Sequence, residues 1–354
     1  QAIGIASDWI TLGRCDRVVV LSADDATNES SFAWLGAGFL ATGAASVATD
    51  ATKAAVPFGK GRNGMIMGSG AAAFVLEKDA ECKSRGILPL VEILECRFAN
   101  SAFHATRLES DSIRENFNEF IDTICSKVGI SRDELARRCF FMSHETYTPA
   151  RGGSSAAEME ALRDVFGDAV GKVLISNTKG FTGHPMGASL EDAVTVKGLQ
   201  RGRVPPIANF TEVDPDFSDL HFARGEEDQQ RDIGIRFAAG FGSQLALNAY
   251  RRIATSDNRW LDKARFMEWS QEMSGLQEPG FLIEHRQFRI VEHDGKTLDE
   301  MKLWRGFDPT AEVSSDEMAE DIAGFALRGD LRPERDHSEL LTEIVELFVR
   351  ETGY

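Results

Sequence analysis

This 354-residue sequence has few cysteines, no long apolar run and no excess of positive charge. The five cysteines are widely scattered with no Cys-x-x-Cys pair, so we expect reduced thiols of a cytoplasmic protein and no metal site. No run of about eighteen apolar residues could span a bilayer. Lys and Arg together number 39 against 56 Asp and Glu, which argues against a nucleic-acid partner. Neither a membrane segment nor nucleic-acid binding is therefore expected.

The composition is that of an ordinary globular protein. Apolar residues make up 42% and charged residues 27%, and the length allows one large domain or several smaller ones. The N-terminal sequence, Gln-Ala-Ile-Gly-Ile-Ala-Ser-Asp, has no initiator Met and no basic region typical of a signal peptide. We therefore expect the sequence to be the inside of a longer chain.

Apolar patterning predicts an α/β architecture. Residues 1–12 are rich in Ala and Ile and predict a buried helix, and the apolar run in 16–22 predicts a central parallel strand. Further strands are predicted at 70–77, 90–94, 139–142, 173–176 and 236–239, and helices at 111–128, 131–138 and 190–199. Open α/β sheets place ligands at the carboxyl ends of their strands, so the loops there are the candidate site.

The sequence changes character after residue 252. Three of the five Trp, a hairpin turn predicted at Asp294-Gly295 and an acidic stretch at 314–317 predict a structured linker. An amphipathic helix is predicted in the last segment. We therefore predict a domain over 1–252, a linker over 253–335 and a helix within 336–354.

Three loops carry residues suited to catalysis. The first, 143–149, carries His144, and the second, 176–189, carries Lys179 and His184 at a junction between a strand and a helix start. Free N–H groups at a helix start favour developing negative charge. The third loop is Gly-Phe-Gly around Phe241, where glycines on both sides would let the ring move. Taken alone, the first and third loops are better explained as ordinary turns.

Taken in order, the loops resemble the β-ketoacyl synthase family, a branch of the thiolase-like fold. The shared pattern is His-x-Thr-x-Thr, then Lys-x-x-x-Gly-His, then Gly-Phe-Gly, and residues 56–70 and 203–210 add two further matches in sequence order. The resemblance covers roughly residues 1–252. It implies the C-terminal portion of a layered αβαβα fold.

The resemblance also implies a reaction. In this family, a cysteine at a helix N-terminus accepts an acyl chain from the phosphopantetheine arm of an acyl carrier protein, and a malonyl-type extender then loses carbon dioxide and attacks the acyl thioester. The Gln-Ala start implies that this cysteine lies five residues before Gln1. No tightly bound cofactor is implied, and a homodimer is expected.

Site roles are implied residue by residue. His144 and His184 would donate hydrogen bonds to the extender's thioester oxygen, and Lys179 would support the second histidine. Thr146 and Thr148 would contact the pantetheine arm, and an extended backbone would point them to the same side. Phe241 would be the gating aromatic beside the nucleophile. The final helix resembles the start of an acyl carrier domain.

The sequence departs from the family pattern in two places, and two other interpretations stay open. Ser243-Gln244-Leu245 stands where Gly-Thr-Asn is usual, and Gly68-Ser69-Gly70-Ala71 lacks the usual Glu. The same Gly-rich segment could indicate a dinucleotide site, although it runs into a strand instead of opening a helix. A ketosynthase-like scaffold that no longer condenses, and that serves as a dimerisation or chain-length partner, would show the same fold.

Overall fold

The computed structural model describes residues 1–50, 53–103, 109–148, 154–225, 231–254, 259–284 and 287–292. The chain divides into two compact units, Gln1–Gly275 and Leu276–Tyr354. In the second unit the described part is an antiparallel strand pair. The predicted turn at Asp294-Gly295, the acidic stretch and the final helix lie outside the described residues, and the predicted domain boundaries stay a prediction.

The helices and strands alternate along most of the first unit. In chain order the elements are α1 Ala2–Thr11, β1 Arg17–Asp25, α2 Glu29–Ala41, β2 Ser69–Glu77, α3 Asp79–Ser84, β3 Val91–Asn100, α4 Ser110–Val128, α5 Arg132–Arg138, β4 Cys139–Met142, α6 Ser154–Phe166, β5 Leu174–Ser176, α7 Lys179–Thr182, α8 Leu190–Arg201, β6 His221–Phe222, β7 Ile233–Gly240, β8 Gln244–Arg252, α9 Lys263–Ser274, β9 Pro279–Glu284 and β10 Gln287–Glu292. Within the described residues, every strand and helix predicted from the sequence is present, with ends shifted by at most six residues.

A six-stranded mixed sheet forms the centre of the first unit. Its strand order is β3-β8-β7-β4-β5-β6. Strands β4, β5, β6 and β7 run parallel, whereas β8 is antiparallel to both of its neighbours. The carboxyl ends of β4, β5 and β7 therefore lie at the same edge, and all three candidate loops begin there.

The main core lies between one face of this sheet and helices α4 and α6. Phe117, Phe120 and Ile124 of α4 pack with Phe141 and Phe237 of the sheet, and all are almost fully buried. Apolar residues recur along α4 at helical spacing, so one stripe of the helix faces the sheet. Burying several large side chains in one cluster is what stabilises this half of the molecule.

The opposite face of the sheet is covered by α8 and α1, and these helices also contact the two-stranded sheet of β1 and β2. The described residues therefore show consecutive helix, sheet, helix and sheet layers, as the predicted layered α/β fold requires. One detail of the prediction is wrong: β1 is antiparallel to β2 and is not a central parallel strand. Its apolar run alternates in burial, with Val20 buried and Leu21 73% exposed, and an apolar run by itself does not specify a strand's partner.

Of the helices that the structure describes, none is both long and apolar enough to cross a membrane.

Candidate active site

The His144 loop is fixed by its backbone. It leaves β4 two residues after Met142, and the His144 N–H donates to Glu158 Oε2 at 2.9 Å while the His144 carbonyl accepts from Lys179 Nζ at 3.1 Å. Asn177 Nδ2 donates to the carbonyls on both sides, at positions 143 and 145. The backbone that carries the imidazole is therefore held by groups from α6, from the loop after β5 and from the start of α7.

The backbone at His184 is hydrogen-bonded to the segment that precedes β2. Its N–H donates to the carbonyl of Ile66 at 2.8 Å, and its own carbonyl accepts from the N–H of Gly68 at 3.2 Å. Gly183 has φ +63°, and a Cβ there would lie 2.7 Å from the carbonyl oxygen of Met67. Glycine is thus required beside the histidine because the backbone is left-handed and tightly approached.

Gly68 is required for the same close approach. A Cβ at this position would collide with the carbonyl oxygen of Thr182. The following residues form β2 and open no helix, so the context of a dinucleotide-binding turn is absent from this described segment. The Gly-rich segment therefore allows the His184 loop to pack closely against it.

The two imidazoles meet in one cavity. Their ring centroids are 5.4 Å apart and their planes are nearly perpendicular, at 81°. Both rings line a cavity of about 340 Å³, together with the N-terminal end of α1, the start of α8 and the end of β7. The sequence prediction that residues 144 and 184 converge agrees with this geometry, and their catalytic roles stay a prediction.

Lys179 lies below the cavity in a buried ion pair. Its Nζ is 2.6 Å from Glu191 Oε1 and its side chain is 1% exposed. Arg236 of β7 lies on the other side of the same carboxylate, with Nη2 3.4 Å from Glu191 Oε2. Because Lys179 also donates to the His144 carbonyl, it ties the His144 loop to the first turn of α8.

A second carboxylate, Asp192, adjoins this group. Its Oδ1 accepts hydrogen bonds from Tyr250 Oη at 2.6 Å and Asn248 Nδ2 at 2.9 Å. Its Oδ2 lies 3.9 Å from Arg236 Nε. The positive charges of Lys179 and Arg236 are thus balanced by the carboxylates of Glu191 and Asp192. This pairing offsets the cost of burying four charged groups beside the histidines.

Burial and charge together favour neutral imidazoles. Burial lowers the pKa of His184 to about 3, with further lowering by Lys179. Burial also lowers the pKa of His144 well below its ordinary value, and Lys179 again adds to the shift. Each ring therefore carries a single N–H at neutral pH and can act as a hydrogen-bond donor or acceptor without a charge change.

The buried carboxyls are shifted in opposite directions. Burial raises the pKa of Glu158 to about 8, because the hydrogen bonds from Ser143 and His144 only partly offset desolvation. Burial would also raise the pKa of Glu191, yet Lys179 and Arg236 hold it below its ordinary value. Burial lowers the pKa of Lys179, and Glu191 opposes that shift.

The two threonines and Phe241 do not belong to the described residues that line the cavity. Thr146 is buried and Thr148 is half-buried, and φ of the intervening Tyr147 is +47°. The backbone is therefore not extended there, so the condition for alternation to point both threonines to one side is not met, and their contact with the pantetheine arm stays a prediction. Within the described residues, the lining of the cavity includes neither threonine.

Phe241 is 48% exposed at the turn between β7 and β8, and its ring stacks on Phe39 with centroids 5.6 Å apart. Its neighbour Gly240 lines the cavity and Gly242 has φ +80°. The ring therefore lies at the edge of the cavity, on an exposed turn, and the gating role stays a prediction.

Sequence reasoning missed the residues that support the histidines. Glu158, Glu191, Asp192 and Arg236 are all buried next to the site. One signal was available, because Arg236 interrupts the otherwise apolar Ile-Gly-Ile-Arg-Phe-Ala-Ala of β7, and a charge in a buried strand needs a partner or a ligand. Glu158 gives no such signal, since only the packing of α6 brings it under residue 144.

The comparisons with known proteins agree with this geometry. Residues 120–211 match the family model for the C-terminal domain of β-ketoacyl synthases. The chain is 31% identical over 209 residues to 3-oxoacyl-[acyl-carrier-protein] synthase 2 of Coxiella burnetii, covering 58% of this chain and 48% of that protein. The chain belongs to the β-ketoacyl synthase family.

Solved ketosynthases share its thiolase-like fold. A β-ketoacyl synthase from Burkholderia phymatum is 26% identical, with a TM-score of 0.62 over 72% of this chain and 59% of that one. A type II polyketide ketosynthase, bound to a hexaketide and in complex with its acyl-carrier protein, is 23% identical with a TM-score of 0.61, covering 71% of this chain and 60% of that one. The chain spans about half the length of the curated relatives that it matches.

Proposed function

We propose that the cavity carries out the decarboxylative condensation of β-ketoacyl synthases. The observation that carries the proposal is the pair of perpendicular imidazoles, 5.4 Å apart between centroids, in one cavity at the carboxyl ends of the parallel strands. Two donors converging from different elements can bind one oxygen atom, which is the geometry needed to stabilise a developing oxyanion.

The proposed step conserves atoms and electrons. The bond between the extender's α-carbon and its carboxylate breaks, carbon dioxide leaves, and the electron pair delocalises onto the thioester oxygen as an enolate. His144 and His184 would each donate one N–H to that oxygen. The α-carbon then forms a bond to the carbonyl carbon of the acyl thioester, and a thiolate leaves.

Neutral imidazoles suit this role. Their lowered pKa values leave one N–H on each ring without a fixed positive charge in the buried cavity. Lys179 supplies positive charge nearby and fixes the His144 carbonyl, so we propose that it acts as a positioning residue. Its direct contact is with the first histidine loop, and it acts on His184 through its charge.

The substrate arm and partner follow from the same proposal. The phosphopantetheine arm of an acyl carrier protein would enter past Thr146, Thr148 and Phe241, and the neighbouring structure in complex with its acyl-carrier protein supports this class of partner. The N-terminal end of α1 lines the cavity, which supports a nucleophile presented on that side. The cysteine before residue 1, the homodimer and the cytoplasmic location stay predictions.

The test is release of carbon dioxide from a carboxyl-labelled malonyl carrier protein by the full-length protein. His144→Ala and His184→Ala should each lower the rate by about a hundredfold or more, because a donor to the oxyanion is lost. His221→Ala is the matched control, since His221 lies in β6 and outside the described cavity lining, and it should keep the parental rate. Parental rates in both site variants would refute the proposal, and release by neither parent nor control would favour a non-condensing scaffold.

A further inference from the structure

Tyr147 lies in the His144 loop with its backbone in a conformation that tyrosine rarely adopts. Its φ is +47° and its side chain is fully buried. A bulky residue in the left-handed region is strained, and it persists only where the surrounding structure holds it there. The contacts of its ring and of its backbone therefore show what this conformation provides.

The phenol of Tyr147 contacts the loop that carries the second histidine. Its Oη donates to the carbonyl of Lys179 at 3.3 Å, and the same carbonyl accepts from the N–H of Gly183 at 2.9 Å. Gly183 directly precedes His184 in the chain. Burial raises the pKa of Tyr147, so the phenol keeps its proton and remains a donor at neutral pH. One hydroxyl thus joins the two loops that carry the imidazoles.

The backbone of Tyr147 provides a second connection to His184. The Tyr147 carbonyl accepts from the N–H of Gly64 at 3.1 Å. Two residues further along that segment, the carbonyl of Ile66 accepts from the N–H of His184 at 2.8 Å. A single left-handed residue therefore contacts, through its ring and its carbonyl, the two segments that fix the backbone of His184.

The proposed chemistry depends on where the two imidazoles lie relative to each other. A donor stabilises an oxyanion only from about 2.7–3.1 Å, and a displacement of about 1 Å can lower a rate by about a hundredfold. Tyr147 does not belong to the described residues that line the cavity. Any effect of this residue on the reaction must therefore act through the two loops that it joins.

We propose that Tyr147 is a positioning residue that fixes the His144 and His184 imidazoles relative to each other by joining their loops. The inference rests on the proposed function, because it assumes that both rings donate to one oxygen atom. It adds to that function a residue that contacts neither the substrate nor the imidazoles. The strained backbone of Tyr147 is then explained by the two connections that it makes possible.

The test measures kcat and KM for release of carbon dioxide from a carboxyl-labelled malonyl carrier protein by the full-length protein. Tyr147→Phe keeps the buried ring and removes the donor to Lys179. We expect kcat to fall about tenfold while KM changes by less than about twofold, because only the placement of the transition-state donors is altered. A parental kcat in the folded variant would overturn the inference.

Ser270→Ala is the matched control for the loss of a buried hydroxyl. The Ser270 hydroxyl also donates to a backbone carbonyl, that of Phe266 at 2.8 Å, but it lies in α9 and outside the described cavity lining. Both variants should lower the melting temperature, whereas Ser270→Ala should keep the parental kcat. Equal losses of kcat in the two variants would indicate a general effect of stability and would refute the role of Tyr147.

A double-mutant cycle separates positioning from a general structural effect. In the His184→Ala background only one of the two donors remains, so the relative position of the rings no longer matters. Tyr147→Phe should therefore change the residual kcat by less than about twofold in that background. The same tenfold loss with and without His184 would contradict the inference.

A second pair of variants tests the same hydrogen bond if Tyr147→Phe does not fold. In place of Tyr147, 4-aminophenylalanine keeps a donor, whereas 4-methylphenylalanine fills the volume of the hydroxyl without one. The amino variant should keep kcat within about threefold of the parent, and the methyl variant should lose about tenfold. Equal kcat values in this pair would count against the hydrogen bond to Lys179 and overturn the inference.

The two proposals fail in different ways. If the parent releases no carbon dioxide, the proposed function is overturned and the role of Tyr147 falls with it. If the parent releases carbon dioxide and His184→Ala does not, but Tyr147→Phe keeps the parental kcat, the function stands and only the role of Tyr147 is refuted.

Discussion

The two faces of β7 show how one strand serves two purposes. Ile233, Ile235 and Phe237 point into the main core against α4, where each is fully buried among apolar side chains. The alternate residues, Gly234, Arg236 and Ala238, face α8 and the histidine cavity. Alternation of side chains along a strand separates the two environments by a single residue. Stability is thus concentrated on one face and chemistry on the other.

The largest change in stability is expected on the face of β7 that points into the main core. Phe237→Ala should lower the free energy of unfolding by about 3–5 kcal/mol, because a large side chain is lost and a cavity remains. Denaturant unfolding followed by circular dichroism measures it. Phe181→Ala, the same change at a side chain that is 69% exposed, should alter stability by about 0.5 kcal/mol or less. Equal losses in the two variants would contradict the assigned core.

On the side of the sheet that carries the cavity, the expected loss of stability comes from removing a charge. Lys179→Met should destabilise the protein by about 3 kcal/mol, because Glu191 would lose its buried ion-pair partner at 2.6 Å. The double variant Lys179→Met/Glu191→Gln should recover part of that loss, since the uncompensated carboxylate is removed as well. A double variant no more stable than the single one would show that the pair contributes by shape and not by charge.

The pH dependence of stability sharpens the comparison further. His184 has a folded pKa of about 3, below its ordinary value of 6.5, so the unfolded chain binds more protons between those values. The contribution of neutral His184 to the free energy of unfolding is fully present above pH 6.5. It is lost as the pH falls, by up to about 1.4 kcal/mol per pH unit. His184→Asn should therefore lose stability less steeply than the parent between pH 6.5 and pH 5. Parallel curves would indicate an unperturbed, accessible imidazole.

The smallest effect is expected at the edge of the cavity. Phe241→Ala removes an exposed ring stacked on Phe39, so stability should fall by about 1 kcal/mol or less. If Phe241 is a gate, the variant should also change the association rate of a hexanoyl pantetheine amide, measured by stopped-flow fluorescence. Phe32→Ala, an exposed ring on α2, is the control and should leave that rate unchanged. A loss of several kcal/mol in Phe241→Ala would place the ring in the core.

Periodicity and motif order determined much of this molecule from the sequence. The helix–strand alternation predicted the α/β layers, and the two histidine loops were identified by their motifs at strand ends. These features are local, because a strand end, a Gly-His pair or an amphipathic stripe is written in neighbouring residues. The prediction failed at β1, where an apolar run does not reveal whether its partner is parallel or antiparallel.

Only the tertiary structure decided which charges support the site. Glu158 lies under the His144 loop because α6 packs there, and Glu191 lies between Lys179 and Arg236 because the start of α8 meets the middle of β7. Such pairings join residues 12 to 45 positions apart along the chain, and burial strengthens them far beyond what sequence spacing suggests. The electrostatic character of the cavity is therefore a property of packing, whereas the histidines that use it were visible in the sequence.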